Sequence, residues 1–171
     1  MKSILLSVLW IGWITEWSQF TPLDQSFTVL LPGQPSYFEN EMESDIGMIK
    51  VESYHSSVGV GKNEQIFSIN KSNYPSTLEF NVQDSLFQEI ESITKEGILN
   101  PLNGKILYHE SVKIGNSDAK VFLIQYKDTE AIKTYLIPHH NSVYTIQIFS
   151  SYINRNSRDA EKMISSFKIL K

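Results

Sequence analysis

Cysteine is absent from this chain. Its absence removes disulfides, thiolate zinc sites, cysteine nucleophiles, iron–sulfur clusters and a lipid-modified N-terminal cysteine together. It leaves the redox compartment open, because a chain without thiols is stable in either. Blocks of lysine and arginine are missing too: 15 basic side chains face 19 acidic ones, for a net charge of −4 and a pI near 5.6. Affinity for nucleic acid comes from Lys and Arg displacing counterions from phosphates, so nucleic acid is excluded as a partner. No apolar run approaches the roughly 20 residues of a membrane-spanning helix. No repeat, low-complexity tract or second domain boundary interrupts the chain, and no Gly-x-Ser-x-Gly nucleophile elbow occurs.

What is present suits one globular domain, since 171 residues at 41% hydrophobic content can bury a core without metal or disulfide. The N-terminus, "MKSILLSVLWIGWI", starts positive and then runs apolar from Ile4 to Ile14. That length matches the apolar stretch of a secretory leader. Residues 1–18 are therefore expected to be a signal peptide or an uncleaved N-terminal membrane anchor, and residues 19–171 a single exported domain, periplasmic or secreted. The anchor alternative, with its weak membrane association, rests on Trp10, Trp13 and Trp17. On a helix that spacing puts three indoles on one face, as suits a membrane–water interface. It also rests on cleavage chemistry: Trp13 and Glu16 stand two positions before the small residues Thr15 and Ser18. A buried N-terminal helix is disfavoured, because the run is apolar all round rather than striped.

Beyond the leader the pattern reads as strands, a helix, more strands and a last helix. "FTVLLP" (27–32) is a short strand stopped by Pro32 and Gly33, and 36–44 with 47–58 form a hairpin turning at Asp45–Gly47. A further strand spans 64–74. Residues 82–96 change period: Val82, Leu86, Phe87, Ile90 and Ile93 share one face while Glu91 and Lys95 point away, and Gly97 is placed as the stop. Strands follow at 104–114, 119–127, 131–138 and 142–150. The second of these is apolar on both faces and is expected to be central. Asn156 or Ser157 caps a final helix burying Ala160, Met163, Ile164 and Phe167. The class is α+β, an antiparallel β-sheet flanked by helices.

Chemistry-bearing patterns are few. "GVGK" (59–62) lacks the glycine and hydroxyl positions of a phosphate loop and sits between strands, so it reads as a hairpin turn. His139 and His140 are adjacent, so their rings are expected to diverge. His55 and His109 fall in different strands, and all four read as solvated turn histidines rather than zinc ligands. Glu39, Glu41, Glu43 and Asp45 alternate with Phe38, Asn40, Met42 and Ser44. Period two places the four carboxylates on one face, about 7 Å apart. Three readings of this stripe stand: a surface for a basic partner, a weak calcium site lacking converging loop geometry, or an edge strand kept soluble by charge.

Several of these features occur together in one family. A Phe-rich strand ends in Pro-Gly-x-Pro (32–35), a glycine precedes a tyrosine-bearing strand (Gly47, Tyr54), and Tyr74-Pro75 follows. "GKIL" (104–107), "VY" (143–144) and "SSFKI" (165–169) complete the series. From about residue 26 to 170 the chain resembles the PsbP-like proteins, small exported α/β/α sandwiches. Asp118-Ala119 stands where many relatives carry Pro-Gly, and Lys133 where an Arg is often found. The resemblance implies an antiparallel sheet between helices, with no catalytic residue and no cofactor to carry over. Its usual use is as a non-enzymatic accessory or binding module. The leading expectation is thus a non-catalytic exported domain that binds a protein or an envelope component. The alternative is a small-molecule-binding or hydrolytic domain with a pocket between sheet and helix.

Overall fold

In the computed structural model, residues 16–170 are described. The leader expected over residues 1–18 therefore lies outside them except for Glu16, Trp17 and Ser18, and Trp10 and Trp13 lie outside as well. Trp17 is not on a helix. It opens a strand, β1 (Trp17–Phe20), paired with β2 (Phe27–Pro32) in the register Trp17↔Pro32 to Phe20↔Val29. The Trp17 ring meets Phe67 edge-on at 5.6 Å, so its indole is spent on packing inside the fold.

The main sheet has seven antiparallel strands in the order β3-β4-β5-β9-β8-β7-β6. They are β3 (Ser36–Ser44), β4 (Gly47–Val58), β5 (Gln65–Asn73), β6 (Lys105–Ile114), β7 (Ser117–Tyr126), β8 (Glu130–His139) and β9 (Ser142–Ser151). A second sheet, in the order β1-β2-β10, is closed by β10 (Lys168–Ile169). Helix α1 (Ser85–Leu102) lies between β5 and β6 in sequence, and α2 (Arg158–Ser166) follows β9. Among the described residues no helix is long and apolar enough to cross a membrane.

Two apolar clusters cover the two faces of the main sheet. On one face Phe27, Val29 and Leu31 of β2, with Ala160, Met163 and Phe167 in and beside α2, pack on Tyr54, Ile69, Val121, Ile137 and Ile146. On the other, Phe87 of α1 packs with Phe80 on Phe122, Ile124, Leu136 and Val143. The fold is α+β, but it is dominated by strands. The expected helix-covered layer on the first face is mostly the small β-sheet, with α2 beside it. The alternation of β2 decides this, because Phe27, Val29 and Leu31 all point to the main sheet and are fully buried.

Other boundaries shift for local reasons. Helix α1 begins at Ser85 rather than 82, capped by Asp84, its carboxylate accepting from Leu86 N at 2.8 Å. Gly97 does not stop the helix; the stop is Asn103 at φ 48°, with Gly104 N bonded to Leu99 O at 3.0 Å. A Cβ on Gly104 would stand 2.7 Å from the Ile124 side chain, so glycine is required for the close pass over β7. Ser157, rather than Asn156, caps α2 by accepting from Ala160 N at 3.1 Å. β7 is buried on both faces as expected, yet it stands second from an edge, and β9 holds the middle.

Candidate functional site

β3 is an edge strand of nine residues, exposed along its length until Ser44. Its inner side pairs with β4 in the register Glu39↔Glu52, Glu41↔Lys50 and Glu43↔Met48. Along its outer side, alternate residues leave their backbone N–H and C=O groups facing solvent. Glu39, Glu41 and Glu43 share one face of this strand. Asp45 does not join them: it sits in the two-residue turn between Ser44 and Gly47, where strand alternation no longer applies. The opposite face carries Phe38 and Met42, 60% and 46% exposed, with the Phe38 ring 5.7 Å from that of His55.

The three strand carboxylates project side by side rather than converging. Among the described residues no group of three or more His, Asp or Glu is placed to hold a metal ion. Glu39 is held by the Tyr37 hydroxyl, which donates to Oε2, and by Lys50 Nζ at 3.1 Å. These two contacts, the phenol first, lower the Glu39 pKa, and the same hydrogen bond pushes the Tyr37 phenol up to about 12. The pair fixes the direction of the Tyr37 ring.

That ring walls a cleft of about 400 Å³ on the same face of the sheet. Phe20, Thr21, Pro22, Leu23 and Asp24, from the end of β1 and the connection to β2, form one side; Pro35, Tyr37, Glu52 and Tyr54 form the other. Ring centroids of Phe20 and Tyr54 lie 5.2 Å apart, as do those of Tyr37 and Tyr54. Lys71 of β5 pairs with Asp24 and, at 3.7 Å, with Glu52, while Asn73 Nδ2 donates to Glu52 Oε2 at 3.1 Å. Among the described residues, the carboxylates of Asp24, Glu39, Glu41, Glu43, Asp45 and Glu52 stand along this edge and cleft with Lys50 and Lys71 between them. This edge is therefore locally acidic.

Asp24 gives the cleft a pH signature. Burial alone would raise its pKa, but the Lys71 ammonium and the hydrogen bonds from Ser26 outweigh it, and the carboxyl lies below its ordinary 3.8. A value lowered on folding stabilises the fold above the unfolded value and loses that contribution as pH falls through the folded one. The stability gap between the wild type and Asp24→Asn is thus expected to be full near neutrality and to close below 3.8. Urea midpoints measured across that range check it; a gap independent of pH would contradict it.

The remaining sequence candidates fall elsewhere. Gly59–Lys62 is the β4–β5 turn, with a short 3-10 turn over Gly61–Asn63. Part of it lines a second cleft, of about 730 Å³, with Tyr126, Phe149, Tyr152, Glu64 and Glu130. Neither cleft is lined by a residue of α1 or α2, so neither lies between sheet and helix. The His139 and His140 rings do not diverge but meet edge to face at 4.4 Å, and His140 Nδ1 lies 3.0 Å from Glu79 Oε1. His55 and His109 stand in strands, not turns, toward opposite ends of the sheet. His109 Nε2 contacts Glu91, which is buried under α1 and also contacts Lys95. The i, i+4 spacing of Glu91 and Lys95 was the one signal of this cluster. The cleft by Tyr37 had none, because residues 20–24, 35–37 and 52–54 meet only through sheet register.

No family model matches the chain, and no curated protein matches it. A crystal structure from Bacteroides thetaiotaomicron VPI-5482 is similar over 90% of this chain, with a TM-score of 0.45 and 15% identity. This chain spans only 48% of that one. The solution structure of cyanobacterial PsbP (CyanoP) from Synechocystis sp. PCC 6803 is similar over 96% of this chain and 98% of that chain, with a TM-score of 0.55 and 8% identity. At that identity the likeness concerns backbone architecture, and the fold of this chain is PsbP-like.

Proposed function

We propose that this chain is an exported, non-catalytic binding domain that takes an extended segment of a partner protein onto the open edge of β3. The carrying observation is an open edge strand, exposed until Ser44, with Glu39, Glu41 and Glu43 on one face and exposed Phe38 and Met42 on the other. Strand addition draws affinity from main-chain hydrogen bonds and specificity from alternate side chains. The matching segment alternates basic with apolar residues. A second copy of the same strand does not match, since it would set carboxylates against carboxylates. Export rests on the apolar stretch Ile4–Ile14, and fractionation with sequencing of the mature N-terminus checks it; cytosolic material retaining Met1 would refute it.

The binding test uses a nine-residue peptide alternating lysine and valine, the length of β3. It is expected to bind the wild type and to bind the Glu41→Lys/Glu43→Lys variant at least about 100-fold more weakly, or about 2.7 kcal/mol. Methylating alternate peptide nitrogens on the pairing edge is expected to abolish binding as well, which attraction between charges alone would not produce. Absence of binding, or equal binding by a glutamate–valine peptide, defeats the proposal. A second reading, a small-molecule site, is favoured by the 730 Å³ cleft, whose volume lies within the range of ligand pockets.

A further inference from the structure

We propose that the face of the main sheet turned away from β2 and α2 binds an uncharged oligosaccharide, from the 730 Å³ cleft across β9, β5 and β4. This goes beyond strand addition on the β3 edge and rests on the second reading, to whose cleft it gives a ligand class.

Strand alternation sorts the side chains of β3, β4, β5 and β9 by charge. Glu39, Glu41, Glu43, Lys50, Glu52 and Lys71 all share the face of Tyr54, through the registers Glu39↔Glu52↔Lys71 and Glu41↔Lys50. The opposite face of these four strands carries two polar rows, His55↔Ser68↔Gln147 and Ser53↔Asn70↔Thr145, and His55 is its one ionisable side chain. The next pair along, Ile66↔Phe149, forms part of the cleft lining. The charged residues of the cleft, Lys62, Glu64, Asp128 and Glu130, stand at turns and strand ends around that apolar pair. Helix α1 lies on this face too, but the apolar cluster beneath it draws on β7, β8 and Val143 of β9, and on no described residue of β3, β4 or β5. The two polar rows are therefore left beside the helix, with Ser53, His55, Asn70, Thr145 and Gln147 only half-buried.

Charge and hydrogen-bond complementarity select the guest. An anionic polymer finds no Lys or Arg on these rows, and a cationic one finds no carboxylate. A purely apolar guest would strip water from the hydroxyls and amides without replacing it, which costs free energy. Ser, Thr, Asn and Gln side chains each donate and accept, as every sugar hydroxyl does. Asn70 Nδ2 donates to Ser68 Oγ at 3.2 Å, which aligns those two groups beforehand. Thr134 Oγ1, next in the row of Gln147, is buried with no partner among the described residues, so the Gln147 amide is not spent on it. The rings at the cleft, Phe149, Tyr126 and Tyr152, offer flat apolar surface for the C–H face of a pyranose. One sugar seats in the cleft, and the following ones lie along the polar rows.

The test titrates isotope-labelled protein with cellotetraose, with maltotetraose and with the acidic tetragalacturonate, following backbone amides and the side-chain amides of Asn70 and Gln147. At least one neutral tetrasaccharide is expected to shift both side-chain amides and to bind at about 1 mM or tighter, with the acidic one at least about tenfold weaker. Gln147→Leu is expected to weaken the neutral sugar about fivefold to tenfold, and Phe149→Leu about threefold. Thr145→Val serves as the polar deletion if Gln147→Leu does not fold. Silence of both neutral sugars overturns the inference, as do equal binding of the acidic one, shifts confined to the β3 edge, or unchanged affinity in the polar deletion. Indole, uncharged and without hydroxyls, separates this from the second reading. If the sugars fail while indole shifts Phe149 and Tyr152, the cleft remains a small-molecule site and the saccharide alone falls; if indole also leaves them unmoved, both fall.

Discussion

Phe27→Ala is expected to destabilise the domain by about 3–5 kcal/mol, the range for deleting a buried aromatic ring. Phe27 is 0% exposed, and its ring lies 6.2 Å from Phe20, 5.6 Å from Tyr54, 5.9 Å from Tyr144 and 5.4 Å from Phe167. Those four rings come from β1, β4, β9 and the end of α2, so one side chain joins the small sheet, the helix beside it and the main sheet. Collapse into the vacated volume is blocked by hydrogen bonding on both sides of β2, since β1 and β10 hold it in register. A strand pinned at both edges does not move by a methylene to refill a cavity, which places the cost in the upper part of the range. Phe27→Leu, with most of the volume kept, is expected to cost about 1–1.5 kcal/mol. Urea unfolding checks both: the midpoint should fall in that order while the slope stays constant. Against a total of about 5–15 kcal/mol for a domain of ordinary stability, the alanine variant should also lose the β1–β2 wall of the cleft near Tyr37.

The legible parts of this fold were the ones written locally. Pro32-Gly33 ended β2 because Pro cannot continue a ladder and Gly33 turns at φ 69°. The β3–β4 hairpin was legible because Asp45-Ile46-Gly47 supplies a short turn between two alternating segments, and the placement of β3 at a sheet edge agrees with its unbroken run of exposed residues. Elements defined by distant partners were not legible. β1 shares Trp17 and Ser18 with a stretch whose composition reads as leader, and only the Trp17↔Pro32 pairing shows it as a strand. β10 is two residues long and exists because Lys168 and Ile169 find Thr28 and Phe27. Gly97 was misread as a stop because glycine lowers helix propensity by about 1 kcal/mol, a cost the apolar contacts of Ile98 and Leu99 with the sheet override. Within the candidate site, the carboxylates of β3 were visible as a period of two. The aromatic cleft was not, because three chain segments meet there and none carries a motif.

Glu91 yields the second large effect, and its sign depends on which groups are removed. It was expected to face solvent from α1, but it is 5% exposed, with Lys95 one turn along the helix and His109 of β6 against it. Removing both partners in Lys95→Met/His109→Leu leaves a buried carboxylate with neither counter-charge nor donor, which is expected to cost about 3–5 kcal/mol. Each single variant should cost much less, because the other partner remains and both are partly exposed; the excess of the double over the sum measures the coupling. Adding Glu91→Leu to the double variant should restore stability to within about 1 kcal/mol of wild type or exceed it, since apolar packing under α1 replaces a desolvated ion. The neighbourhood suits that replacement, with Phe87, Phe122 and Ile90 in the same cluster and Lys95 Nζ 5.8 Å from the Phe122 ring centroid. Urea midpoints for the four variants and amide exchange along α1 check the scheme. A triple variant as unstable as the double would show that Glu91 holds the helix through something other than its charge. The stable triple variant would instead mark this cluster as a device for seating α1 in one register over β6 and β7. It lies at the other end of the sheet from the β3 edge proposed to bind the partner.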